Sequence, residues 1–186
     1  TEAFMIPIIA DIYAKKKEET DPRVKSIVIY PTNALANDQA MRFVELIYNV
    51  NRQLIANGVS VDDLISIGIL SGDTPWKSSN LERESLIKIC PCCGKTEWSR
   101  EEDYLVCQNP ECVTPLNFCR LTRESIMNNP PDILITNPDE INACLHNPRR
   151  AEIFYSKIDS IVFDEVHVYQ GIFGCHVAHL LRRLEE

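Results

Sequence analysis

The chain has 186 residues, 45% of them apolar and 25% charged, with a formal net charge of −8. That length suits one domain with a full core and room for a small insertion, and the composition is that of an ordinary globular protein. The negative balance excludes a broad basic coat, so any contact with nucleic acid has to be local, through backbone amides, helix N-termini and a few side chains.

No apolar run approaches the roughly 18 residues that span a bilayer. The opening stretch, TEAFMIPIIADIYAKKKEE, lacks the basic start and small-residue cleavage site of a signal peptide, so the cytoplasm is the expected location. Phe4, Met5, Ile8, Ile9 and Ile12 share one face of a first predicted helix, closed favourably for its dipole by Lys15, Lys16 and Lys17. The chain opens on Thr1 without a capping sequence and stops inside a helical pattern, LLRRLEE, which marks it as an expected fragment. A first strand is predicted over residues 24–30, followed by Pro31, Thr32 and Asn33. Ala36, Ala40, Phe43, Ile47, Val50 and Leu54 then step along a long helix that Gly58 ends. Residues 64–70 form a second predicted strand, followed by Ser71, Gly72, Asp73, Thr74 and Pro75.

Next comes a cysteine-rich stretch. Cys90-Pro91-Cys92-Cys93-Gly94 and Cys107 to Cys112 form two knuckles, each offering two thiolates near a Pro or Gly turn, which suits tetrahedral Zn²⁺. Cys90, Cys93, Cys107 and Cys112 are the expected ligands, because Cys90-x-x-Cys93 followed by Gly94 gives the usual turn. Cys92 could replace one of them, and Cys119 is a spare. A disulfide framework is the alternative, though a cytosolic chain keeps its thiols reduced. Four thiolates leave no open coordination position, so the metal would be structural, holding a small ribbon that has little core of its own. Trp98 and Tyr104 are expected to pack around it, with stacking on a base or a partner as the second reading. Cys144 and Cys175 read as small buried apolar residues.

A third strand is predicted at residues 133–135, followed by Thr136, Asn137, Pro138 and Asp139, with Asn137 as helix cap and Pro138 at the first helical position. The apolar run 161–163 ends in two adjacent acids, Asp164 and Glu165. The last helix stripes Phe173, Val177, Leu180 or Leu181, and Leu184 along one face, with Gly171 and Gly174 as sites of tight turning or close packing. His176, His179 and Arg183 share another face, which suits contact with a further domain or DNA better than a metal pair. Arg182 and Arg183 fit a phosphate contact or a solvated basic helix end equally.

Strands that are apolar throughout are those buried on both faces, as in a parallel sheet covered by helices. Ligands bind such sheets at the carboxyl ends of the strands, where all four polar clusters fall. Each cluster alone reads as ordinary capping; four on one edge read as a working edge. Thr32 and Asn33, and again Thr136 and Asn137, precede helices whose free N–H groups can meet phosphate, and Gly72 permits close backbone approach in the turn from Ser71 to Asp73. The two acids fit either a solvated turn or a nucleoside triphosphatase pair, one acid holding Mg²⁺ through water and the other orienting the attacking water.

The segments YPTNALANDQ (30–39), SGDTP (71–75), DILITNPDEIN (132–142) and IVFDEVH (161–167) resemble, in that order, motifs Ia, Ib, Ic and II of superfamily-2 DEAD/DEAH-type helicases. TEAFMIP (1–7) is similar to the segment just after the phosphate-binding loop in that superfamily. VYQGIFGCHVAHLLRRL (168–184) resembles the segment after the acidic box in the MrfA-like branch of DNA-repair helicases, whose larger relatives include phage-defence helicases. The resemblance implies an α/β fold: a RecA-like, mostly parallel sheet flanked by helices, with an inserted four-cysteine zinc ribbon. Residues 1–87 would form its first part, 88–120 the ribbon and 121–186 its second part. It implies ATP, Mg²⁺ and Zn²⁺ as cofactors, and Asp164, Glu165 and His167 as catalytic residues, His167 coupling the nucleotide and nucleic-acid sites. Thr1 would be the loop threonine on Mg²⁺. Pro31, Thr32, Asn33, Ser71, Gly72, Asp73, Thr136 and Asn137 would meet a single or duplex strand, with the tail favouring DNA over RNA. A second RecA-like domain of the same full-length chain is the implied partner, and the fragment alone, without the glycine-lysine loop or an arginine finger, is expected not to hydrolyse ATP. Two other readings stay open: an inactive ATPase-like scaffold carrying a zinc-binding interaction module, and a duplex translocase of a restriction or defence complex. The intact acidic pair weighs against the first.

Overall fold

The computed structural model describes residues 2–17, 22–155 and 157–185; Thr1, expected at the nucleotide, lies outside them. Helix α1 (Glu2–Lys16) buries Met5, Ile8, Ile9 and Ile12, the face its periodicity marks. Strand β1 (Ser26–Ile29) leads into α2 (Asn33–Ala56), which the Thr32 side chain caps by accepting from the Leu35 N–H. The buried stripe of α2 is wider than its apolar pattern: it includes Gln39 and Asn51, while Val50 and Leu54 are half-buried. Asn51 faces the core because its amide clamps the Ile65 backbone from both sides, at 2.9 and 3.0 Å. Strand β2 (Ile67–Leu70) is followed by the short α3 (Leu81–Glu84) and an antiparallel hairpin of β3 (Trp98–Glu101) and β4 (Tyr104–Cys107). Then come β5 (Cys119–Arg120), α4 (Arg123–Asn128) behind a Thr122–Ser125 capping box, β6 (Ile133–Thr136), α5 (Pro138–Leu145), α6 (Pro148–Tyr155), β7 (Ser160–Phe163) and α7 (Gly171–Glu185).

Five strands form one parallel sheet in the order β5-β2-β6-β1-β7. Alternate residues of each strand feed different layers. Val28, Ile67, Ile69, Ile133 and Ile135 pack with α1 and α2, whereas Ile27, Ile29, Leu70 and Leu134 pack with residues of α4 to α7. That double burial is why β1, β2 and β6 are apolar at nearly every position. The same expectation fails at β7, an edge strand that is only partly buried and leaves Ile161 37% exposed.

The cysteine-rich segment does not form a separate small core. Cys90, Trp98, Leu105, Cys107, Leu116 and Phe118 belong to the same buried cluster as α1 and α2. The sheet resumes at Cys119 and Arg120, which pair with Ile67 and Gly68, so the range expected for the ribbon, 88–120, overlaps β5. Cys144 is buried as expected, but Cys175 is exposed. On α7 it stands about 200° around the helix from Val177, which faces the core.

At the amino ends of the strands Asp132 gathers two cations. Lys16 and Lys25 each reach its carboxylate at 2.8 Å, and Ser66 donates both its N–H and its hydroxyl. Burial by itself would raise the Asp132 carboxyl, but the two lysines outweigh it and hold the group below the ordinary carboxylate range. The stabilisation is therefore complete above the unfolded value, about pH 4, and is lost as pH falls through the lower folded value. Replacing Asp132 by Ala strands Lys25, which is 2% exposed. The expected cost is about 3–5 kcal/mol in urea unfolding at pH 7. Asp132→Asn should flatten the fall of the urea midpoint between neutral and strongly acid pH.

Candidate functional site

The parallel register puts Leu70, Thr136, Ile29 and Phe163 in one row across β2, β6, β1 and β7. The four polar clusters therefore leave the sheet side by side, spread over about 14 Å at ordinary strand spacing. Behind β7 the pairing runs one residue further, with the Asp164 N–H on the Ile29 carbonyl at 3.1 Å. Glu165 then adopts left-handed backbone angles, φ 54° and ψ 43°, and its N–H donates to Asp164 Oδ1 at 2.9 Å. A non-glycine residue held there costs on the order of 1 kcal/mol or more, and such strain concentrates at functional positions. His167 Nδ1 lies 3.3 Å from Glu165, in a pair too exposed to add much stability.

Aromatic packing fixes this turn. Tyr169 stands edge-on to Phe163 at 5.6 Å and stacks on Phe173 at 5.4 Å, and its hydroxyl reaches the Ile29 carbonyl at 3.5 Å. Gly174 is the close-packing site expected from the sequence: a Cβ there would sit 2.5 Å from the Tyr169 carbonyl oxygen. Burial, and then the Asp164 carboxylate, push the Tyr169 phenol up to about 12. Tyr30 is fully buried beside the same carboxylate and is raised for the same two reasons, burial first.

The other three turns are tied to one another. Asn137 caps α5 by accepting from the Glu140 N–H and donates its amide to Asn33 at the start of α2. The turn after β2 is closed by Thr74, whose hydroxyl accepts from the Ser71 N–H and donates to the Ile69 carbonyl. Asn37, one helical turn past Asn33, donates to Asp73 at 3.1 Å. Gly72 passes so near that a Cβ would come 2.8 Å from the Asn33 amide nitrogen. Arg123, at the start of α4, holds Glu140 with both terminal nitrogens at 2.7 and 2.9 Å and donates to the Ser71 and Thr74 carbonyls. The expected strand contacts differ in access: Thr32, Gly72 and Asp73 are exposed, Pro31 and Asn33 half-buried, and Ser71, Thr136 and Asn137 buried.

Asn37, Arg123 and Glu140 were not among the residues expected at this edge. Asn37 could have been found from its i+4 spacing to Asn33. Arg123 carries no local signal, being separated from Ser71 by the whole cysteine-rich segment. His176, His179 and Arg183 line a cleft of about 550 Å³ between α5 and α7, where Arg183 donates to Asn142. A cavity of about 750 Å³ opens at the opposite, amino end of the sheet and contains none of the expected site residues.

The Sγ atoms of Cys90, Cys93, Cys107 and Cys112 lie within 4.8 Å of one another. Cys90 and Cys112 are 3.7 Å apart, Cys93 and Cys107 3.6 Å. Zinc–sulfur bonds of about 2.3 Å in a tetrahedron require sulfurs about 3.8 Å apart, whereas a disulfide needs about 2.05 Å. The arrangement fits a tetrahedral metal and not a disulfide framework. Gly94 supplies the positive φ, 72°, that lets its N–H return to the Cys90 carbonyl. Cys92 is exposed and Cys119 is buried in β5, both outside the cluster. The backbone N–H of Lys95 brings the Cys93 thiol down to about 6, while burial pushes Cys112 up to about 11.

The DEAD/DEAH box helicase family model matches residues 1–72 and 117–186, on either side of the cysteine-rich segment. The ATP-dependent helicase hrq1 of Schizosaccharomyces pombe is 44% identical over 72 residues, which is 38% of this chain and 6% of that protein. The Druantia protein DruE of Escherichia coli is 24% identical, covering 99% of this chain and 13% of its own. The uncharacterized ATP-dependent helicase YprA of Bacillus subtilis is 42% identical over 28% of this chain and 7% of its own. The solved structure of Mycobacterium smegmatis helicase Lhr bound to ssDNA and AMP-PNP shares the fold, with a TM-score of 0.56 and 23% identity over 89% of this chain and 16% of that one. The chain thus spans only 6% to 13% of these curated relatives.

Arg123 is the element of the site that stability measurements reach directly. Arg123→Ala leaves Glu140 and two turn carbonyls without their donor, at an expected cost of about 2–3 kcal/mol in urea unfolding. Arg123→Lys should recover less than half of it, because an ammonium cannot reproduce the fork.

Proposed function

Because the chain belongs to the DEAD/DEAH box helicase family, we propose that it is the first RecA-like half of an ATP-driven motor moving on single-stranded DNA. The observation that carries this reading is the in-register carboxyl edge, with the Asp164–Glu165 pair at one end and three linked polar turns beside it. ATP with Mg²⁺, when bound, supplies the phosphoanhydride whose cleavage drives movement. Asp164 is the hard oxygen donor suited to the water shell of Mg²⁺, and Glu165 is the group that orients the attacking water. Thr1 is proposed to add its hydroxyl to the same ion. His167, in contact with Glu165, is proposed to relay the state of the nucleotide towards the strand.

The turns Pro31 to Asn33, Ser71 to Asp73, and Thr136 to Asn137 are proposed to hold the strand by its phosphates, through backbone amides at the starts of α2 and α5. Such contacts position a strand without reading its sequence and need no basic coat, which suits a chain of charge −8. DNA as the substrate is supported by the ssDNA in the Lhr structure. A second RecA-like domain as partner is supported by the small share of its relatives that the chain spans. The four-cysteine cluster is proposed to hold one structural Zn²⁺, supported by its sulfur spacing.

Two measurements test this. Glu165→Gln in the full-length protein should abolish ATP turnover while sparing ATP binding; retained turnover refutes the role of Glu165. Metal analysis after chelator-treated purification should find one zinc per chain, and Cys107→Ser should lose it and lower the melting temperature. A zinc-free wild-type chain with unchanged stability would sink the metal assignment.

A further inference from the structure

Trp76 is 52% exposed, whereas the other tryptophan, Trp98, is 8% exposed and donates its indole N–H to the Lys88 carbonyl. A solitary exposed aromatic is ordinary. This one is held in a way that is not. It follows the turn after β2 by two residues, and its backbone is strapped to the start of α4: the Pro75 carbonyl accepts from the Arg123 N–H at 2.9 Å and the Trp76 carbonyl from the Glu124 N–H at 3.1 Å. The Arg123 side chain fixes the Thr74 carbonyl as well, at 3.2 Å. The Arg150 guanidinium, brought in by α6, stands 5.4 Å from the indole centroid. Lys77 and Arg149, next in sequence to the two partners, are both exposed, as is Glu124 at the start of α4.

We propose that Trp76, backed by Arg150, is a stacking platform for a base of single-stranded nucleic acid at the β2 end of the carboxyl edge. The inference rests on the reading of that edge as a strand-binding surface and adds a base contact to its phosphate contacts. A rigid aromatic ring loses little freedom on binding, every base offers a π-face to it, and the Arg150 cation beside it attracts the backbone phosphates. Arg150 covers part of the indole and adds a cation–π contribution that a stacked base would share.

The test compares two oligomers of about twelve nucleotides, within the usual range of site sizes. One is oligo(dT); the other is an abasic strand of the same length, which keeps the phosphates and lacks the bases. The 186-residue chain should bind oligo(dT) about 5- to 160-fold more tightly than the abasic strand. Trp76→Ala should remove that preference and leave abasic binding unchanged, and Trp76→Phe should keep most of it. Oligo(dT) should quench the emission that differs between wild type and Trp76→Phe, while Trp98 emission reports that each variant is folded. Equal wild-type binding of both strands overturns the platform and leaves the phosphate edge standing. So does a Trp76→Ala variant that keeps the preference. Wild-type binding of neither strand overturns both readings.

Discussion

Everything at the candidate site depends on the register of one parallel sheet. Hydrogen bonding places Leu70, Thr136, Ile29 and Phe163 in a single row, so four segments far apart in sequence turn out of the sheet together. A shift of one residue in any strand would also exchange the side chains facing α1 and α2 with those facing α4 to α7. Burial on both faces makes such a shift costly. At the amino end the buried Asp132 cluster ties β1, β6 and the residue before β2 with charge as well as backbone pairing.

The cysteine-rich segment is coupled to this frame more closely than an appended module would be. Its hairpin contributes Trp98, Leu105 and Cys107 to the core under α1 and α2, and its sulfur cluster includes the buried Cys90 and Cys107. A structural metal there would stabilise a region continuous with the motor core. The segment runs into β5, whose Cys119 belongs to that core and which lies beside β2, the strand that ends in the turn from Ser71 to Thr74. The four-cysteine cluster and the carboxyl edge are thus connected through one pair of strands.

The two ends of the carboxyl edge are built differently. Around Asp164 and Glu165 the backbone is strained and the cover is aromatic, with Tyr169 wedged between Phe163 and Phe173. At the β2 end the backbone is held by polar side chains, chiefly Thr74 and the Arg123–Glu140 pair. Strain and half-buried carboxylates suit a site where water is activated; a rigid, hydrogen-bonded turn suits a surface that a strand slides over.

Local patterns along the chain were enough to specify four of the five sheet strands, the long α2 helix, the caps at Thr32 and Asn137, the acidic pair, the close packing of Gly174 and the four-cysteine cluster. They suffice there because period, capping chemistry and knuckle spacing act over a few residues. The remaining features came from the folded arrangement alone. Arg123 clamps Ser71 and Glu140, Arg150 meets Trp76, β7 is an exposed edge, the ribbon shares the main core, and Cys175 faces solvent. These depend on which strand lies beside which and on which helix covers which face. Chain topology and close packing settle that over separations of tens of residues, where no local pattern reaches.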